Sequence, residues 1–264
     1  TITTDIYNSL LPIEKTLKNI TIVDYFPEEI IKNFDFAYVT ESNIGEISAT
    51  VDTTNNSITW TIPELANGQT ATVQYKLKLK ENLYYVGVID HELKVFDAIM
   101  PLTYGTSYNS YLLKTEEGGV LFEGSKALFE EEYLANIESI LPLSEIKYLV
   151  VAHTEPDHSG AIEALLKKNP EITLVLSPAA NNNMKNILKF PFKSIVVTPS
   201  KELKVGQYTL SFVSGLFLHW PDVLFTYIKE EKALVTCDGF GTHYAFDDIL
   251  LSKVNNRKEY RESF

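Results

Sequence analysis

The hydrophobic period changes at about residue 81, and that change limits what the two parts of the chain can fold into. Before it, apolar residues alternate with polar ones. ATVQYKLKLK places Ala71, Val73, Tyr75, Leu77 and Leu79 on one face, and SITWTI does the same with Ile58, Trp60 and Ile62. The turn-forming stretches TTNN at 53–56 and ANG at 66–68 separate these runs. Successive strand residues point to opposite faces, so short alternating runs between turns predict a small antiparallel β-sandwich over 1–80.

Beyond the change, strand-like runs alternate with helical ones. LYYVGVID and SYLLKT read as strands, ALFEEEYLANIESIL as a helix and IKYLVVA as a buried strand. SGAIEALLKKN reads as a helix stopped by Pro170, ITLVLS as a strand and PAANNNMKNIL as a helix. SIVVT, YTLSFV, LFTYI and ALVTCD complete the series of strands. Over 81–264 this predicts a sheet covered by helices, with chemistry on the loops at strand ends, and an α+β class for the whole chain. The junction near Lys80–Asn82 has no Pro/Gly linker and is predicted to be abrupt.

Composition narrows the function. The 264 residues are 45% hydrophobic and 22% charged, enough for a packed core in one large domain or two ordinary ones. A net charge of -12 argues against nucleic acid, whose phosphates need a basic face; it suits a small neutral ligand or a metal ion. The one cysteine, Cys237, excludes an internal disulfide and a Cys-type zinc or iron–sulfur site, and reads as core packing. No apolar run approaches the roughly 20 residues of a membrane span. TITTDIYNSL lacks the basic start and apolar centre of a signal peptide.

All five histidines, His91, His153, His158, His219 and His243, lie in the second part. HTEPDH follows the buried run IKYLVVA directly. His153, Glu155 and Asp157 are spaced two apart, and Pro156 predicts an extended or turning backbone on which they can converge. Imidazole with carboxylate is a ligand set for iron, manganese or zinc, whereas a polar loop in water is the plainer alternative. LFLHWPD then brings His219, and ALVTCDGFG brings Asp238, to the ends of further apolar runs. Alone, His219 beside Trp220 reads as a packed ring and Asp238 before Gly239 as a turn former. Three such events in one domain point to a shared site.

The order HTEPDH, HWPD and CDGFGTHY closely resembles the metallo-β-lactamase-like domain of flavodiiron proteins, the oxygen and nitric oxide reductases of anaerobes. YYVGVID, YGTSYNSYLL and FTYI support the resemblance, which covers about 81–264. Zinc hydrolases of this fold usually have histidine where this chain has Glu155, and the added hard oxygen ligand favours a di-iron site. The resemblance implies that His153, Glu155 and His219 bind one iron or are shared with the other, that Asp157 binds the second, and that Asp238 bridges the two. It places His158, His91 and His243 beside the metals or on the surface, without binding. It also implies two irons, O2 or NO as substrate, reduction to water or N2O, a flavin or rubredoxin-type electron donor and a cytoplasmic location, with a homodimer or larger assembly open. The family pattern continues past the GFG loop with a last histidine ligand, the returning half of the αββα fold and an FMN-carrying flavodoxin-like domain. The metallo-β-lactamase-like domain is therefore expected to be incomplete, with FMN reaching it only through an absent domain or a partner.

IVDYFP, TWTI and ANGQTATVQYKLKLK resemble the Ig-like repeat modules of bacterial surface proteins, which carry no catalytic residues and would place the chain at the cell surface. Three functional readings result. One is a flavodiiron-type di-iron domain preceded by a β-sandwich. Another is a structural or surface-assembly protein, or a chimera of two parents, with a vestigial metal site. The third is a zinc hydrolase, against which Glu155 counts.

Overall fold

The computed structural model describes residues 16–27, 57–74, 82–248 and 250–263, together with residue 30 and the pairs 34–35, 41–42, 46–47 and 78–79. The chain divides into two compact units, Thr1–Glu81 and Asn82–Phe264.

In the first unit, β1 (Leu17–Tyr25), β2 (Glu46–Ile47) and β3 (Ser57–Leu65) form an antiparallel sheet with β3 at its centre. Along β3 the side chains alternate as the sequence pattern requires: Ile58, Trp60 and Ile62 are buried while Thr61 is exposed. Trp60, Ile62, Leu65 and Ala71 form a small core against Leu17, Ile20 and Ile22, with Ile22 opposite Trp60 and Ile20 opposite Ile62. Gly68 closes the turn after β3 at φ +77°, a left-handed conformation that favours glycine. Phe34–Asp35 pairs with Lys78–Leu79, and Glu41–Ser42 with Val73–Gln74. The described residues define antiparallel β-structure but not the two packed sheets of an Ig-like sandwich. TTNN, Tyr75 and Leu77 lie outside them.

The second unit is mixed α+β. It begins with β4 (Leu83–Tyr85) and β5 (Val88–Asp90), followed by the hairpin β6 (Val95–Phe96) and β7 (Met100–Pro101), then β8 (Thr106–Tyr108), β9 (Tyr111–Thr115) and β10 (Gly118–Phe122). LYYVGVID is thus two strands, because Gly87 breaks it: a Cβ there would meet the Tyr108 carbonyl oxygen at 2.3 Å. Next come α1 (Glu130–Glu138), β11 (Ile146–Val151), the one-turn α2 (Pro156–Ser159), α3 (Ile162–Lys168), β12 (Thr173–Leu176), α4 (Pro178–Leu188) and β13 (Lys193–Val196). β14 (Glu202–Val205), β15 (Tyr208–Ser214), β16 (Leu224–Ile228), β17 (Ala233–Val235) and α5 (Arg257–Glu262) follow.

These strands make a six-stranded sheet of order β13-β12-β11-β10-β9-β4, parallel from β10 to β13, and an antiparallel four-stranded sheet, β14-β15-β16-β17. Consecutive residues of the central strands feed two cores. Leu149 and Val151 face the helices with Leu121, Tyr133, Ile137, Leu165 and Met184. Val150 and Ala152 face the second sheet with Phe122, Leu210, Phe212 and Leu224. A strand buried on both faces needs an unbroken apolar run, which LVVA supplies. Acidic residues Glu130, Glu131 and Glu132 complement the dipole at the start of α1, and Ser177 caps α4 by accepting from Ala180 N at 3.1 Å.

The two sheets meet where chemistry is possible. Leu224 N donates to Ala152 O at 2.9 Å, which ties the start of β16 to the residue just past β11. That bond brings the HWPD loop alongside HTEPDH.

Candidate metal centre

The site grows from the end of β11. After Val151 the chain extends through Ala152–Glu155 and turns into α2, whose first residue is Pro156. The expectation that Pro156 keeps this stretch out of a helix is corrected here. At the first helical position the missing N–H would have no partner in any case, and proline's fixed φ suits the helix. The turn is fixed by His158 N donating to Glu155 O at 3.0 Å and by Ser159 Oγ donating to Thr154 O and Glu155 O, both at 3.0 Å. Gly124 lets this turn pack closely, since a Cβ there would sit 2.4 Å from His158 O.

One group of donors converges on Glu155. Its Oε2 lies 3.0 Å from His153 Nε2 and 3.0 Å from His219 Nε2. Asp238 Oδ2 stands 3.9 Å from His153 Nε2, and one ligand atom from each of His153, Glu155, His219 and Asp238 falls within 4.8 Å of the others. His153 and Glu155 are buried, while His219 and Asp238 are exposed, so the group opens at one side. The Trp220 ring stands edge-on to His153 at 5.0 Å. His219 adopts φ +101°, far from ordinary backbone for a histidine, and that conformation accompanies its approach to Glu155.

The second group centres on His158. Its Nε2 lies 2.8 Å from Asp238 Oδ1 and 3.5 Å from Asp157 Oδ2, and its Nδ1 lies 3.2 Å from Glu123 Oε2 and 3.8 Å from Cys237 Sγ. Two of these buried atoms, Asp157 Oδ1 and His158 Nε2, make no hydrogen bond. A buried polar atom without a hydrogen bond is costly, and here two of them belong to neighbouring residues of one cluster.

Protonation follows from the crowding. Burial opposes a charge on His158, but Asp238, Cys237 and Glu123 around the ring outweigh it and hold its pKa well above the usual range. Burial likewise opposes a charge on His153, and the hydrogen bonds to Asp222 and Glu155 reverse the balance. Burial pushes Asp157 and Glu123 up. Asp238 is drawn down because the neighbouring His158 outweighs its desolvation. The carboxylates that hold both histidine pKa values up make a concentration of negative charge, the balance that a bound cation would take over.

The sequence-predicted residues separate accordingly. His153, Glu155, His219 and Asp238 form one group, and Asp157 joins them through Asp238 and His158. His243 stacks on Phe96 at 4.5 Å and meets Thr106 Oγ1 at 2.9 Å. His91 pairs with Asp247 at 2.8 Å and lines a separate cavity of about 410 Å³ with Tyr85 and Glu132.

Three acidic residues that sequence reasoning passed over act on these groups. Asp222, fully buried, meets His153 Nδ1 at 3.0 Å and accepts from Thr154 N at 2.8 Å. Glu123, also buried, contacts His158. Asp97, exposed at the turn of the β6–β7 hairpin, has its pKa raised by desolvation and by the charge of Glu155. The available signal was an acid closing an apolar run, as in VLFE, or closing HWPD.

Residues 106–264 match the model of the family described as ODP family beta lactamase. The flavo-diiron protein FprA2 of Clostridium acetobutylicum is 37% identical over 191 residues, covering 71% of this chain and 47% of that protein. The rubredoxin oxygen:oxidoreductase of Desulfovibrio gigas superposes with a TM-score of 0.65 at 30% identity, over 70% of this chain and 46% of that one. The flavodiiron protein of Giardia intestinalis gives a TM-score of 0.60 at 33% identity, over 65% and 43%. The chain spans less than half the length of each.

Proposed function

The chain belongs to the ODP family beta lactamase proteins, with flavodiiron proteins among its relatives, and we propose that its second unit holds two irons and takes part in reducing O2 or NO. One observation carries the reading: the buried Glu155 presents a single oxygen 3.0 Å from the Nε2 atoms of both His153 and His219. A carboxylate between two imidazoles offers a hard oxygen with two borderline nitrogens, a donor set suited to iron.

His153, Glu155 and His219 would hold the first iron, Asp157 the second, and Asp238 would offer one oxygen to each. His158 joins the second position in this reading, a change from the role that the resemblance implied, because its Nε2 is buried and lies 2.8 Å from Asp238 Oδ1 and 3.5 Å from Asp157 Oδ2. When bound, the iron pair supplies the reducing electrons and the Lewis acidity for converting O2 to water or NO to N2O. The protein's own residues keep both positions close, bury one wall and leave the His219–Asp238 side open to a small molecule. The electrons would come from a flavin or rubredoxin-type donor.

The partnerless Asp157 Oδ1 argues against a vestigial site, since a buried acceptor with nothing to accept from costs stability. Glu155 argues against a zinc hydrolase. For the first unit we infer an Ig-like spacer. Its described residues contribute a packed β-core, and both ligand groups found among the described residues belong to the second unit.

The test is steady-state consumption of O2 and of NO by the iron-loaded chain, supplied with a reduced flavodoxin or rubredoxin. Turnover of either gas that depends on iron and on the donor is the expected result. Iron-loaded protein inert to both gases would refute the activity.

A further inference from the structure

We propose that Glu123 and Asp222 are a matched pair of positioning residues, each gripping the Nδ1 side of one buried histidine and thereby turning its Nε2 toward Asp238. The inference rests on the di-iron reading for its purpose, but the clamp itself is a property of the protein alone.

The two carboxylates are used in the same way. Asp222 Oδ1 meets His153 Nδ1 at 3.0 Å, while Oδ2 accepts from Thr154 N at 2.8 Å and from Thr154 Oγ1 at 2.5 Å. Glu123 Oε2 meets His158 Nδ1 at 3.2 Å, while Oε1 accepts from Ala152 N at 2.9 Å. Each acid therefore fastens one oxygen to a backbone N–H beside His153 and the other to a ring. Both acids are buried, at 0% exposure for Asp222 and 2% for Glu123, so neither can swing to water.

An imidazole that donates Nδ1–H to a fixed carboxylate has only Nε2 left to offer a metal. The Nε2 atoms of both rings face carboxylates of the site, that of His153 lying nearest Glu155 Oε2 at 3.0 Å. His153 Nε2 faces Asp238 Oδ2 at 3.9 Å and His158 Nε2 faces Asp238 Oδ1 at 2.8 Å. Glu123 adopts φ +66°, a left-handed conformation uncommon outside glycine, just past the end of β10. Such strain persists where the surroundings require it, and here it accompanies the aim of the side chain at His158.

Glu123, His158 and Cys237 also lie close enough to resemble a separate metal pocket. Glu123 has both oxygens engaged, on Ala152 N and on His158 Nδ1, which makes it a clamp rather than a ligand.

The experiment compares the wild type with Glu123→Gln, Glu123→Asp and Asp222→Asn. Glutamine and asparagine keep the shape but retain one acceptor oxygen of two. Aspartate keeps the charge and withdraws from the ring, a second route should the glutamine variant fold poorly. In metal-free protein with 15N-labelled histidine, the wild type should show exchange-protected Nδ1–H resonances from His153 and His158. The Glu123 variants should lose only that of His158, and Asp222→Asn only that of His153. On titration with Fe(II), the Glu123 variants should bind the second iron about 10–100-fold more weakly with the first unchanged, and Asp222→Asn should weaken the first. A wild type without protected Nδ1–H signals would overturn the clamp. So would variants that weaken both irons equally in step with their melting temperatures. A wild type that shows both signals but binds no iron would instead refute the di-iron reading and leave the clamp standing.

Discussion

Asp238 Oδ1 lies 2.8 Å from His158 Nε2 without the alignment of a hydrogen bond. The contact is an ion pair when the ring is protonated, and a bound cation would take the place of that proton between the two donor atoms. With its other oxygen turned toward His153, Asp238 becomes the link between the two groups of the site.

Removing that link gives the first prediction. Asp238→Ala should weaken both metal positions, by at least the ~10–100-fold typical of lost supporting contacts around a metal. Folding should be retained, because Asp238 is exposed and carries no core packing. Isothermal titration with Fe(II), together with a circular dichroism melt, checks both parts.

Gly124→Ala should damage the site from a distance. The new Cβ would start 2.4 Å from the His158 carbonyl oxygen, a backbone atom that can move only with α2. The strain should cost about 1–3 kcal/mol, measurable by urea denaturation, and iron binding should fall with it.

Ser177→Ala tests the support beneath the HWPD loop. The Ser177 hydroxyl accepts from Ala180 N at the start of α4 and donates to Asp222 O at 3.0 Å. Losing both contacts should cost about 1–2 kcal/mol, read from the denaturation midpoint.

Trp60→Ala should unsettle the first unit. Trp60 is 2% exposed and faces Ile22 across the sheet, so its removal should cost about 3–5 kcal/mol there. Iron binding by the second unit should be unchanged, because among the described residues both ligand groups lie in the second unit. Hydrogen exchange resolved by segment, alongside iron titration, separates the two effects.

How much of this was legible depended on the range of the interactions. The run LVVA announced a strand buried on both faces, and periodicity placed α1, α4 and β3 close to where they lie. HTEPDH announced a cluster of candidate ligands because three of its side chains arise within one turn of chain. Asp222 and Glu123 were not legible, since their roles depend on contacts 69 and 35 residues away that only the packing of two sheets creates. Pro156 misled because its local bias was read without its position: at the start of a helix the residue that breaks helices begins one. Within LYYVGVID, Gly87 was passed over because a close backbone approach leaves no periodic trace.

The measurement that bears most directly on the central claim is the iron content of anaerobically reconstituted protein, with bound Fe(II) counted after removal of excess metal. The account predicts close to two irons per chain in the wild type and a clear loss in Glu155→Ala, whose carboxylate joins His153 to His219. A folded wild-type chain that retains no stoichiometric iron, or one whose iron content is unaffected by Glu155→Ala, would contradict it.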